Sequence, residues 1–317
     1  MANTLKVLVT GANGFIGATL CDTLRRKSVE VNAVVRQDAN PGEFSVGNLS
    51  SETNWIAPLR GCKTVIHLAA RVHVLADRVL DPLEAFRAVN HQGTLNLARQ
   101  AAVSGVSRFV FVSSIGVNGA ETFFTPFRED DTPAPHSPYA LSKYEAEIDL
   151  KKLAKETGME VVIVRPPLVY GARAPGNFGA LVRWLSRGVP LPLGAIGNRR
   201  SYVALANLVD LMVTCIDHPA AANQTFLVSD GEDLSTTDLL RRMGQAVGKP
   251  ARLLPVPTAL LKFGAAFVGK PELAQRLCGN LQVDISKARQ LLGWRPPLSV
   301  DEGLKRAAEG YLREAAL

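Results

Sequence analysis

Gly11-Ala12-Asn13-Gly14-Phe15-Ile16-Gly17 follows directly on the apolar, β-branched run Lys6–Thr10 and opens the helix-periodic segment Phe15–Arg26. A glycine turn between a strand and a helix constrains this chain more than any other feature. Glycines let the backbone bend sharply and approach a pyrophosphate, and the helix N-terminus supplies unbonded N–H groups and a partial positive charge. The expectation is a first βαβ unit that binds a dinucleotide, with Gly11, Gly14, Phe15, Ile16 and Gly17 at its phosphates.

The segments that follow extend that unit. Short β-branched runs at Val31–Val35, Thr64–Leu68, Arg108–Ser113 and Glu160–Arg165 alternate with helical patterns at Pro82–Val103 and Pro138–Thr157, with an extra short strand near Phe44–Val46. Such alternation predicts an α/β fold of the Rossmann type, a doubly wound parallel sheet. After Gly171 it weakens, and Pro and Gly become frequent from Pro175 to Gly197. We therefore expect a dinucleotide-binding domain over residues 1–171 and a smaller, looser, substrate-facing α/β region over 172–317, from which the chain can cross back to the first sheet. Within the latter the pattern predicts a helix over Ala206–Asp217, a strand over Gln224–Val228 and a helix from Ser235, where Ser235 and Asp238 have capping-box spacing. Two tail helices between Asp284 and Leu312 are split by Gly293 and the Pro296–Pro297 pair.

With 317 residues, 47% of them apolar and 21% charged, the chain has the material for a large core and is neither disordered nor fibrous. Its net charge of +7 is spread along the sequence. That distribution suits a phosphate-bearing cofactor and substrate better than a nucleic acid, which is not expected as a partner. Cys21, Cys62, Cys215 and Cys278 lie far apart without metal-ligand spacing, so buried reduced thiols and no metal are expected. The longest apolar stretch, Val203 to Ile216, is interrupted by Asn207 and Asp210 and is too short to cross a bilayer. The first residues show no leader pattern. Together these predict a chain without a membrane span that works in the cytoplasm.

The chemistry is carried by a second constellation. The fourth long strand runs into Ser113-Ser114, and the helix after it opens His136-Ser137-Pro138-Tyr139-Ala140-Leu141-Ser142-Lys143. Ser137 suits an N-cap and Pro138 the first helical position, which fixes where the helix starts. Tyr139 and Lys143 then stand one turn apart on one face. A tyrosine, with an ordinary pKa near ~10, exchanges protons usefully at neutral pH only when its phenolate is stabilised. The Lys143 ammonium and the positive helix end can both do that. A serine hydroxyl from the strand end would hold the substrate oxygen while Tyr139 moves a proton and a nicotinamide moves hydride.

Cofactor choice is read at the end of the second strand, about 20 residues past the glycines, where a carboxylate would bind the ribose 2′-hydroxyl of NAD. Here that strand ends Val34-Val35-Arg36. A guanidinium without a carboxylate favours the 2′-phosphate of NADP(H), with NAD(H) as the other option if Arg36 is only a solvated strand-end residue.

The Gly-x-x-Gly-x-x-Gly spacing, the strand-end serines and Tyr-x-x-x-Lys together resemble the extended short-chain dehydrogenase/reductase family, over nearly the whole chain. The subgroup it is most similar to is that of nucleotide-sugar epimerases and 4-keto reductases. The resemblance implies Ser114 as the catalytic serine, from the pattern Ser113-Ser114-Ile115-Gly116-Val117-Asn118-Gly119, with Ser113 beside it at the substrate. It puts Tyr139 and Lys143 on the cofactor, and Tyr139 at the substrate as well. It sets Asn48-Leu49 beside the adenine, where the family commonly has an Asp, and lines the cofactor with Leu68, Ala69 and Ala70, with Asn90, and with Pro166 at the crossover Arg165-Pro166-Pro167. Asn177 matches a residue at the sugar-nucleotide diphosphate and Arg200 one that holds the nucleotide, although Ser201 and Ala204 stand where an acid and a His are usual. His67 and His73 match no family role and read as structural. A homodimer paired through helices of the first domain is also implied.

Three functions are compatible with these residues. Arg36 inclines the reading to an NADPH-dependent reductase of the C4 ketone of a UDP-linked deoxy or N-acetyl hexose for surface polysaccharide. The alternative is an NAD-dependent UDP-hexose or UDP-N-acetylhexosamine 4-epimerase using the same Ser114, Tyr139 and Lys143. A non-catalytic NADP(H)-binding sensor is the third.

Overall fold

A computed structural model describes residues 5–72, 81–174, 177–267, 269 and 271–314. The first part of the chain forms β1 (Lys6–Thr10), α1 (Phe15–Arg26), β2 (Glu30–Val35), β3 (Phe44–Ser45), α2 (Ile56–Leu59) and β4 (Thr64–His67). It continues through α3 (Pro82–Arg87), a π-helical segment (Ala88–Gly93), α4 (Thr94–Val103), β5 (Arg108–Val112), α5 (Pro138–Thr157) and β6 (Glu160–Arg165). Then come β7 (Leu168–Tyr170), α6 (Asn177–Ser186), β8 (Arg200–Ala204), α7 (Leu205–Thr214), β9 (Thr225–Leu227) and β10 (Asp233–Leu234). The remaining helices are α8 (Thr236–Ala246), α9 (Thr258–Phe267), α10 (Pro271–Cys278), α11 (Ser286–Leu292) and α12 (Val300–Glu314).

A seven-stranded parallel sheet has the order β3-β2-β1-β4-β5-β6-β9. The chain first builds outward from β1 to β3 and then restarts on the other side of β1 with β4. The switch point lies between β1 and β4, so a crevice opens at their C-terminal ends. Because both faces are covered, the strands are buried throughout and read as apolar runs. Their period of two divides them between two cores: Val7, Val9, Val110 and Val112 pack with Leu20 and Leu24 of α1 and Leu208 and Met212 of α7. Leu8, Phe109 and Phe111 pack on the opposite face with Trp55, Leu97 and Ala98 of α4, and Ala146 and Leu150 of α5.

Local chemistry sets the helix ends. Ser137 caps α5 by accepting a hydrogen bond from the Ala140 N–H at 3.2 Å, with Pro138 next. Ser235 caps α8 in the same way through the Asp238 N–H. The spacing over Pro82–Val103 predicts one helix, and the structure widens its middle into the π-helical turn. That turn carries Asn90 wholly into the interior.

After β6 the structure is more regular than the Pro and Gly content predicts. A second sheet, β10-β8-β7, pairs β7 and β8 in parallel and β8 and β10 antiparallel, and α6, α8 and α12 pack around it. Its strands are too short for a period of two to show. β9 rejoins the large sheet beside β6, and α7 lies against α1. Asn207 and Asp210, the polar breaks in the apolar run, both bond inside the fold: Asn207 to Asp230 and the Leu298 backbone, Asp210 to the Trp294 indole. Cys21, Cys62 and Cys215 are buried, whereas Cys278 is only half-buried, because it ends a helix at the surface. Among the described residues no helix is long and apolar enough to cross a membrane.

One buried ion pair ties α5 to the sheet. Arg165, closing β6, donates from Nε to Glu147 Oε1 at 3.0 Å and from Nη2 to Glu147 Oε2, while Nη1 reaches Asn118 Oδ1 at 2.9 Å. Both side chains are essentially without solvent contact. Removing one partner strands the other charge in the core. We expect Glu147→Leu to destabilise the fold by ~3–5 kcal/mol, and Glu147→Leu with Arg165→Met to recover most of that loss. Urea unfolding midpoints check this, and a single variant as stable as the parent would contradict it.

Candidate active site

The crevice begins at the turn after β1. Gly11 takes φ +66°, and a Cβ there would lie 3.1 Å from the Ala69 backbone nitrogen. A Cβ on Gly17 would collide with the Gly11 carbonyl oxygen. The turn, α1 and the end of β4 meet this closely only because these positions are glycine. Among the described residues no side chain caps α1, which leaves the first N–H groups of the helix without a side-chain acceptor beside the turn.

A cavity of about 530 Å³ extends from this turn along the ends of β1, β2 and β4. Of the expected cofactor residues it is lined by Gly11, Arg36, Asn48, Leu49, Ala69 and Ala70. Gly14, Phe15, Ile16 and Gly17 form the adjoining helix start, and Leu68 joins β4 to the lining. The walls also include Asn13, Asp38, Trp55 and Arg71, which the motifs do not single out. Asp38 lies two residues beyond Arg36, at φ +55°, so a carboxylate lines the cavity with the exposed Arg36 after all. Trp55 is wholly buried, and its indole N–H has no partner among the described residues. The glycine cradle, this orphaned N–H and the mixed polar and apolar walls fit a dinucleotide.

Asn90 works at one remove from the cavity. Its amide accepts from the Arg71 N–H at 2.8 Å and donates to the Arg71 carbonyl and to Ser142 Oγ, so it braces the Ala70–Arg71 backbone rather than facing the crevice. Pro166 is buried at the end of β6, where its carbonyl accepts from the Ile115 N–H at 3.0 Å.

Ser114 ends the β5 segment half-buried and accepts from the Gly116 N–H at 3.1 Å. Strand alternation turns Ser113 the other way. It is 3% exposed, and its enclosed hydroxyl has no partner among the described residues. The His136 ring, three residues before Tyr139, flanks Ser114 across Gly116.

Tyr139 and Lys143 emerge from the first turns of α5. Tyr139 meets the edge of Phe86, and Lys143 Nζ sits 4.1 Å from the centroid of the Phe111 ring. Burial pulls the Lys143 ammonium down to about 7, partly opposed by Glu147 one turn on, and burial lifts the Tyr139 phenol to about 12. In the chain itself, therefore, lost hydration outweighs the help that the helical spacing predicts Lys143 to give the phenolate.

Arg200, expected at the nucleotide, opens β8, with Nη1 on the Gly279 carbonyl at 3.0 Å. Burial holds its pKa below the usual guanidinium range. Ser201, standing where an acid is usual, donates to Asp233 across the strand pair. Asn177 opens α6, but its side chain lies outside the described residues, as does His73.

Comparison with known proteins places this geometry. The model of the NAD dependent epimerase/dehydratase family matches residues 7–229. A UDP-glucose 4-epimerase of Vibrio cholerae is 48% identical over 97% of this chain and 95% of its own length. An N-acetyl-α-D-glucosaminyl-diphospho-ditrans,octacis-undecaprenol 4-epimerase of Escherichia coli O157:H7 is 26% identical over 96% of this chain and 94% of its own. The crystal structure of a Thermotoga maritima UDP-glucose 4-epimerase with UDP-glucose superposes with a TM-score of 0.77 at 24% identity, covering 99% of this chain and all of that one.

The lowered pKa of Lys143 is a statement about stability. The unfolded chain holds this proton up to an ordinary value of 10.5 and the folded chain only to about 7. The group therefore opposes folding in full below pH ~7, and less and less as pH rises towards ~10.5. Lys143→Met should abolish turnover yet raise the thermal midpoint at pH 7, with the gain fading by pH 10. Calorimetry at both pH values tests this, and an equal gain at pH 10, or none at pH 7, would contradict it.

Proposed function

The chain belongs to the NAD-dependent epimerase/dehydratase family, and on that premise we propose that it is a 4-epimerase of a UDP-linked hexose or N-acetylhexosamine. The observation that carries the proposal is the 48% identity to a UDP-glucose 4-epimerase over nearly the full length of both chains. Ser114, Tyr139 and Lys143 at the end of β5 and the start of α5 are consistent with it.

In this proposal the pyrophosphate is held by Gly11, Gly14, Phe15, Ile16 and Gly17, the adenine by Asn48 and Leu49, and the adjoining ribose by Asp38. Leu68, Ala69, Ala70 and Pro166 support the nicotinamide half. When bound, the nicotinamide supplies hydride exchange at C4. Ser114 holds the oxygen on that carbon, and Tyr139 takes the hydroxyl proton and later returns it. Lys143, as the ammonium, lowers the cost of the phenolate from which Tyr139 starts and to which it returns, a cost that burial alone makes high. Arg200 and Asn177 hold the nucleotide diphosphate of the sugar. The proposal extends to a cytoplasmic enzyme that pairs as a homodimer through helices of the large sheet.

One observation favours the reductase reading: Arg36 lies exposed at the cavity, suited to a 2′-phosphate. Asp38 on the same wall weakens that selection, because a carboxylate there repels a phosphate and accepts from a ribose hydroxyl. NAD(H) is accordingly the proposed cofactor.

Proton NMR of UDP-glucose, and separately of UDP-N-acetylglucosamine, incubated with the protein and catalytic NAD should show gluco and galacto forms interconverting. Tyr139→Phe should bind cofactor normally and turn over roughly 10²–10⁴-fold more slowly. No interconversion, with NADPH instead consumed mole for mole by a UDP-4-keto-6-deoxy-N-acetylhexosamine, would replace this reading by the reductase.

A further inference from the structure

His67, the last residue of β4, has no solvent exposure, and both ring nitrogens are engaged. Thr10 Oγ1 lies 2.7 Å from Nδ1, and Thr94 Oγ1 lies 2.9 Å from Nε2. The other bonds of the two hydroxyls fix which nitrogen carries the proton. Thr10 Oγ1 accepts from the Leu68 and Ala69 N–H groups, each at 3.1 Å, so its own proton goes to Nδ1. Thr94 Oγ1 gives its proton to the Asn90 carbonyl at 2.7 Å, so it receives one from Nε2. His67 is thus neutral and protonated on Nε2. Burial, reinforced by the nearby Lys143 charge, keeps it so by pushing its pKa to about 3.

From this ring hydrogen bonds run in two directions. Towards the cofactor they fix the Leu68–Ala69 backbone, against which the Gly11 turn is pressed. Towards the chemistry they pass through Thr94 to the backbone carbonyl of Asn90, whose side-chain amide donates to Ser142 Oγ at 3.1 Å, and Ser142 in turn donates to the Tyr139 carbonyl at 2.8 Å. The ring also lies stacked beside Phe111, 17° from its plane, and Phe111 is the ring under Lys143 Nζ. No other imidazole among the described residues joins the two halves of the crevice in this way.

We propose that His67 is a positioning residue, the centre of a hydrogen-bonded network, joined through the covalent frame of Asn90, that sets the Tyr139 and Lys143 turn of α5 in register with the cofactor-binding turn. The proposal rests on the assignment of Tyr139 and Lys143 above, but not on which C4 reaction they perform. It gives a functional reason for a residue whose sequence context reads only as structural. It also requires one tautomer, because a ring protonated on Nδ1 would leave Thr10 unable to donate and Thr94 without a donor.

The test uses the full-length protein. His67→Leu fills the space without either bond, whereas His67→Gln offers one acceptor and one donor on a planar amide. Turnover, KM for the sugar nucleotide, NAD affinity by calorimetry and the thermal midpoint are measured for each. Misplacement of the catalytic pair predicts that folded His67→Leu loses kcat by roughly 10²-fold, with KM for the sugar little changed, and that His67→Gln restores most of it. Should His67→Leu not fold, Thr94→Val, which cuts the chain on the Tyr139 side only, is expected to lower kcat while NAD affinity stays at the parent value. A folded His67→Leu with parental kcat would overturn the proposal. So would equal losses in His67→Leu and His67→Gln, or a Thr94→Val with unchanged kcat. Activity is read on whichever of UDP-glucose, UDP-N-acetylglucosamine or a UDP-4-keto sugar the parent turns over, so a parent inactive on both UDP-glucose and UDP-N-acetylglucosamine counts against the epimerase reading alone.

Discussion

The closeness with which the turn after β1 is pressed against the end of β4 governs what the rest of this molecule can do. Gly17 packs onto the Gly11 carbonyl, where a Cβ would collide outright, and Gly11 faces the Ala69 backbone, where a Cβ would be crowded at a left-handed φ. That approach draws the N-terminus of α1 to the switch point of the sheet, where the strand order reverses and the crevice opens. The surrounding side chains reinforce it. Thr10 holds the Leu68 and Ala69 N–H groups, and Asn90 holds both sides of the Arg71 peptide, so the far wall of the cavity is braced by hydrogen bonds rather than by packing alone.

Around the crevice, burial tunes the ionisable groups. Lys143 is enclosed over an aromatic ring, and the Glu147–Arg165 pair lies behind it on the same helix and the neighbouring strand. Each loses hydration and finds one partner of suitable sign or polarisability, an arrangement that costs stability while fixing geometry. A proton that must leave a sugar hydroxyl and come back is well served by such surroundings. Tyr139 gives up its proton reluctantly in the chain alone, so the phenolate forms only where an arriving ligand completes its surroundings.

Much of this architecture is legible in the sequence. β1, α1, α5 and β6 have the bounds their periodicity and caps predict, because Ser137-Pro138 and the glycine turn are local signals that tertiary packing does not override. Tyr139 and Lys143 are legible for the same reason, since one helical turn fixes their spacing. Other features depend on residues distant in sequence. β7, β8 and β10 are ordered by each other and by α8 and α12, not by their own short runs. Ser113 and Ser114 differ only in the face of β5 that each occupies. Asp38 reaches the cavity because the backbone turns left-handed there, a step that a rule about strand ends does not anticipate. For that reason Arg36 alone points to NADPH and reduction, whereas the carboxylate beside it and the likeness to a UDP-glucose 4-epimerase over nearly the whole chain favour the reading proposed above. His67 reads as structural in the sequence because its partners, Thr10 and Thr94, come together only in the folded chain.

The proposed epimerisation requires hydride to leave C4 and return to it inside one closed site, with Tyr139 handling the accompanying proton. A deuterium label on C4 of UDP-glucose, followed while the protein turns over in excess unlabelled NAD, reports on that step alone. Deuterium is expected to stay at C4 of both the gluco and galacto products, with none appearing in the NAD pool or in water. Labelled NADH in solution, or loss of deuterium from C4, would contradict it.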